Sequence, residues 1–122
     1  MTLDNDLKTQ IRNEIIMSAK MRRLCEYDKL FLIAKLESQT TDVIDKYLKQ
    51  ITIEDLKDGK PILWSIVIHP EHGLPSDEYF KVIDELGLEK NINVQGKTEI
   101  SKRMAESVFN YWSKRRRTGK KR

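Results

Sequence analysis

The sequence predicts an all-α domain, a small bundle of five to six short helices with a basic C-terminal tail. An α+β fold with a minor strand pair is the alternative. Three observations carry this expectation. Apolar residues recur at three- and four-residue spacing along most of the chain. Gly and Pro are absent before Gly59 and punctuate only a few sites after it. A single run, Ile62 to Ile68, has the length and β-branching of a strand.

Taken in order, Leu3, Leu7, Ile11 and Ile15 step by four, and Ile16 and Ala19 widen the stripe toward Leu24. Thr2 or Asp4 is placed to cap this helix, and Lys20, Arg22 and Arg23 near its end suit the helix dipole. Leu24, Tyr27, Leu30, Phe31 and Ala34 continue the stripe with a phase shift near residues 24–28, so the break between two helices falls there. Ser38 to Asp42 is a polar, cap-rich cluster. Val43, Ile44, Tyr47, Leu48 and Ile51 follow as the next stripe. Thr52 and Asp55 resemble a short-armed capping box for a separate helical turn, which Gly59 and Pro61 stop.

The run at 62–68 suits a buried strand or a single helical pass, and periodicity alone does not separate them. A strand needs a partner, and Asn91 to Val94 is the one other strand candidate, so helix is favoured. His69 to Pro75 reads as a loop. Ser76 caps a helix with Asp77 and Glu78 in its first turn, Tyr79, Phe80, Ile83 and Leu86 facing inward, and Gly87 at its end. Thr98 caps a last helix, with Ile100, Met104, Val108 and Tyr111 or Trp112 on its buried side.

Composition bounds the function. With 39% apolar and 34% charged residues among 122, the chain has room for one domain and a core without cross-links. One domain over 1–113 and a flexible tail over 114–122 are expected. Cys25 is the only cysteine, so neither an intrachain disulfide nor a cysteine metal cage is available. Apolar runs fall far short of the roughly 20 residues of a membrane span. The first residues carry Asp4, Asp6 and Glu14 with no secretory pattern. The expectation is a cytoplasmic protein, nuclear if the host is a eukaryote.

Charge is the most informative feature. Lys114, Arg115, Arg116, Arg117, Lys120, Lys121 and Arg122 crowd the last nine residues, and setting these seven cations aside turns the net charge from +4 to −3. A mildly acidic body with a cationic end is an electrostatic handle for phosphates, which it engages through counterion release. Lys102 and Arg103 extend the strip on the preceding helix, diluted by Glu99 and Glu106. Residues 76–117 make a poor helix-turn-helix, because about ten residues replace the usual three or four between the two helices. Phe109, Tyr111 and Trp112 are better read as core anchors than as base-stacking platforms, with one of them left at the surface.

His69-Pro-Glu-His72 holds both histidines, but its spacing and Pro70 disfavour a zinc site. Asp42 with Asp45, and Asp55 with Asp58, read as solvent-facing helix charges. No phosphate loop or nucleophile elbow is present, so neither catalysis nor a cofactor is expected. The sequence therefore predicts a small non-enzymatic accessory or regulatory protein of a nucleic-acid machine, of the kind a phage or mobile element carries. Its tail meets DNA or RNA, its body meets a protein partner or a second copy, and no membrane is involved. The alternative is an interaction subunit whose tail meets an acidic protein.

Overall fold

The computed structural model describes the backbone of residues 3–34, 41–88 and 94–118, and side chains within 7–34, 42–88 and 96–113. Five helices dominate: α1 (Leu3–Lys20), α2 (Tyr27–Ala34), α3 (Thr41–Lys57), α4 (Asp77–Glu85) and α5 (Val94–Thr118). A 3-10 turn at Leu63–Ile66 and two short strands, β1 (Cys25–Glu26) and β2 (Val67–Ile68), complete it. The helical expectation holds, with the minor strand pair realised as a parallel ladder joining Cys25 to Val67 and Glu26 to Ile68.

The apolar run behaves differently from the favoured helix. Pro61 precedes it and Pro70 follows His69, and a residue before proline is pushed out of the helical region. One turn forms, and the chain then extends through Val67 and Ile68. Its partner is Cys25–Glu26, which the sequence did not offer as a strand. Val94 opens α5, and residues 91–93 lie outside the described residues.

The 3-10 turn is the centre of the core, packed by α1, α3 and α5. Leu63, Trp64, Ser65 and Ile66 are all buried there. From α1 come Ile11, Ile15 and Ala19, from α3 Ile44, Leu48 and Ile51, and from α5 Ile100, Val108 and Trp112. Tyr79, Phe80 and Ile83 of α4 join this core as expected, together with Val82, whereas Leu86 is exposed. Helix α3 runs unbroken through the expected capping box. The Thr52 hydroxyl donates back to the Leu48 carbonyl at 2.8 Å, so it serves its own helix and starts no new one.

Three helices end in the same way. After α3 and α4 the chain turns through Gly59 (φ 73°) and Gly87 (φ 77°), each closed by paired bonds to the last-turn carbonyls. Helix α1 makes the same turn through Arg22 at φ 55°, with Arg22 N–H donating to Ala19 O at 3.0 Å and Arg23 N–H to Ser18 O at 2.9 Å. Left-handed geometry at a residue bearing a Cβ costs about 1 kcal/mol. Arg22 offsets it through its side chain, which reaches Glu106 at 2.7 Å, Ser113 at 2.9 Å and Asn110 at 3.3 Å, and lies 5.6 Å from the Phe109 ring centre. Arg22→Ala is expected to be less stable than Arg22→Gly by about 1 kcal/mol in urea unfolding, since both lose the clamp and only glycine relieves the backbone.

Candidate nucleic-acid interface

Helix α5 has 25 residues, about 38 Å at 1.5 Å per residue. It starts at Val94, so Thr98 lies inside it and does not cap it. Ile100, Ala105, Val108 and Trp112 bury one face, and Met104, Phe109 and Tyr111 are half-buried at its edges. Three aromatic side chains within four positions therefore split between core and boundary, with Trp112 innermost.

The opposite face carries Lys102, Arg103, Glu106, Ser107 and Asn110 in solvent. Lys102 and Arg103 are thus placed where a phosphate can reach them. The dilution expected from Glu106 is reduced, because Arg22 pairs with that carboxylate across the α1–α5 seam. Arg22 joins the basic face from a position 84 residues away in sequence. Sequence reading treated it only as a helix-end charge, since nothing in one-dimensional spacing links residue 22 to residue 106. Positions 114–117 continue the same helix, but the side chains of Lys114, Arg115, Arg116 and Arg117, and the whole of Lys120, Lys121 and Arg122, lie outside the described residues.

The other candidates resolve into structure. The His69 ring stacks on Tyr27 at 4.4 Å between ring centres, and His72 meets His69 edge-on at 5.4 Å. His72 Nδ1 accepts the Leu74 N–H at 3.2 Å, closing the loop that the His69–Leu74 bridge starts. Among the described residues no group of three potential ligands is arranged to hold a metal. The helix-turn-helix reading is not the packing found, since the main partners of α5 are the 3-10 turn and α1. Helix α4 touches the start of α5 through Lys97, which pairs with Asp77 at 3.2 Å and sits 5.2 Å from the Phe80 ring centre.

Two of the carboxylates expected in solvent are buried. Asp55 is 2% exposed and pairs with Arg12 at 2.7 Å. Asp45, 7% exposed, accepts the Tyr27 hydroxyl at 2.7 Å on one oxygen and the Ser76 hydroxyl at 3.0 Å on the other. Trp64 Nε1 in turn donates to the Tyr27 hydroxyl at 2.9 Å. Ser76 stands at the helix start as expected, yet its hydroxyl goes to Asp45 and not to its own backbone. Burial, above all, raises the Asp45 carboxyl above its ordinary range, with Glu78 adding to it, while the hydrogen bonds from Tyr27 and Ser76 and the His69 charge oppose the shift. Burial likewise pushes the Cys25 thiol up to about 11, which keeps it protonated and unreactive at neutral pH.

Beside this network lies an open groove of about 420 Å³ lined by Asp42, Asp45, Lys46, Lys49 and Glu78. Its lining carries three acids and two bases, so it presents no positive field of the kind that collects phosphates. No helix among the described residues is long and apolar enough to cross a membrane. Comparison with family models, with curated proteins and with solved structures finds no match to this chain.

Proposed function

We propose that the protein is a small non-enzymatic nucleic-acid-binding accessory protein, whose helical body makes protein contacts while its basic C-terminal end grips the phosphate backbone. The observation that carries this reading is the segregation of charge, seven cations in the last nine residues against a body of net −3 once they are set aside from +4. One continuous helix supports it, since α5 bears Lys102 and Arg103 and runs on through positions 114–117. At 100° per residue, positions 114 and 117 return to the side of the helix that carries 103 and 110. Arg22 offsets the Glu106 charge on the same surface.

Contact through phosphates alone makes affinity steeply salt-dependent and indifferent to sequence. Fluorescence anisotropy with duplex DNA, single-stranded DNA and RNA across a salt series tests this. The full chain is expected to bind with a log–log slope of about −3, corresponding to three or four engaged cations. Replacing Arg115, Arg116 and Arg117 together by Gln is expected to flatten that slope by about two and weaken binding at low salt at least tenfold. Unchanged binding in that variant moves the site to Lys102, Arg103 and Arg22. Absence of binding to all three probes at low salt refutes the reading and points to an acidic protein as the partner of the tail.

A further inference from the structure

Arg22 closes α1 in left-handed backbone, where glycine stands after α3 and α4, and its side chain crosses to α5. The two ends of its guanidinium meet different neighbours. Nη1 donates to Ser113 Oγ at 2.9 Å and to Asn110 Oδ1 at 3.3 Å, and Ser113 is buried, so this end is fixed against the body. Nη2 donates to Glu106 Oε2 at 2.7 Å. The Glu106 side chain is 59% exposed, on the side of α5 that also carries Lys102 and Arg103. The Phe109 ring centre lies 5.6 Å from the guanidinium carbon and backs the group. One end of the cation is therefore anchored, and the other holds an anion that solvent reaches.

We infer that Glu106 holds the place of a nucleic-acid phosphate on Arg22, and that a backbone phosphate displaces this carboxylate from Nη2 when the chain binds. The inference rests on the nucleic-acid reading proposed above. Three observations carry it. The group exchanged is an anion, and guanidinium receives carboxylate and phosphate through the same fork of donors. The pair stands in solvent on both sides, with side chains 42% and 59% exposed, and an exposed ion pair contributes little to stability, so its exchange costs little. Ser113 and Asn110 are uncharged acceptors that stay when the carboxylate leaves, so the guanidinium keeps its position for the incoming phosphate. While Glu106 is in place the pair is neutral. Once it is displaced, Arg22 becomes a phosphate contact beside Lys102 and Arg103, and Glu106 acts as the internal competitor that limits affinity.

Fluorescence anisotropy of the full chain with duplex DNA, single-stranded DNA and RNA probes across a salt series tests the exchange, with circular dichroism to show that each variant is folded. Arg22→Gln is expected to flatten the log–log salt slope by about one, because one phosphate contact is lost. Glu106→Gln leaves Arg22 its Ser113 and Asn110 partners and so tests the inference even where Arg22→Gln does not fold. It is expected to tighten binding by about threefold with the slope unchanged, because the competitor goes while the contact stays. Glu99→Gln removes the same charge about 10 Å earlier on the same side of the helix, and is expected to tighten binding less. A clamp that stays closed in the complex predicts the reverse, an unchanged slope in Arg22→Gln and a slope steeper by about one in Glu106→Gln. Either of those results, or equal tightening by Glu99→Gln and Glu106→Gln, overturns the inference and leaves the nucleic-acid reading standing. A wild type that binds none of the three probes at low salt overturns both.

Discussion

Trp64→Ala is expected to lower stability by about 4 kcal/mol, a large share of the roughly 5 to 15 kcal/mol that holds a domain of this size together. The reason lies in position as well as size. Trp64 is 1% exposed in the 3-10 turn on which α1, α3 and α5 converge, so the cavity it leaves cannot be filled by moving one helix. Its ring also meets Tyr79 edge-on at 5.7 Å, and its N–H donates to the Tyr27 hydroxyl. Trp64→Phe separates these contributions. It retains most of the volume and loses the N–H, and about 1 to 2 kcal/mol is expected for the unpaired acceptor and the residual space. Equilibrium urea unfolding of both variants measures the pair, and a loss in Trp64→Ala no greater than in Trp64→Phe overturns the assignment of the turn as the core's centre.

Asp45→Ala is expected to cost about 3 kcal/mol, because two buried hydroxyls, those of Tyr27 and Ser76, lose their acceptor together. Asp45→Asn keeps an acceptor for Tyr27 and offers Ser76 an N–H, so a loss below about 1 kcal/mol is expected at neutral pH. The two variants also separate charge from hydrogen bonding through pH. Burial raises the Asp45 carboxyl in the folded state above its usual 3.8, so the native chain holds this proton more tightly than the unfolded chain does. Stability contributed by that proton is complete below 3.8 and is lost as pH rises through the folded value. Measured against Asp45→Asn, wild type should therefore fare progressively worse from pH 4 toward neutrality. A difference that is flat with pH, or that moves in the other direction, contradicts a buried carboxylate whose desolvation outweighs its hydrogen bonds.

What the sequence revealed and what it concealed divide along a physical line. Helix α4 was legible because its signals are local. Ser76 and Gly87 bracket it, and the apolar residues between them repeat at helical spacing. The stop of α3 was legible for the same reason, at Gly59 and Pro61. Lys102 and Arg103 fell on the exposed side of α5 because a stripe that buries Ile100, Val108 and Trp112 leaves them no other side. Other misreadings needed a partner distant in the chain. Thr52 and Asp55 imitate a cap until Arg12 is seen to take the carboxylate. Asp45 looks like a surface charge until Tyr27 and Ser76 converge on it from separate elements. Cys25 and Glu26 carry no strand signature at all, and two residues are too few for a period to register. Their extended form follows from the turn at Arg22 and from the edge that Val67 and Ile68 offer them.

That short ladder has a kinetic consequence. Parallel pairing of residue 25 with residue 67 requires the chain to travel through α2, α3 and the 3-10 turn before the two edges meet. The entropy of closing so long a loop is lost before the ladder returns anything. The helices can form and dissolve locally, but the ladder can close only once the segments between its strands have collapsed together. Its amide protons are therefore expected to gain protection late in refolding, after those of the helices.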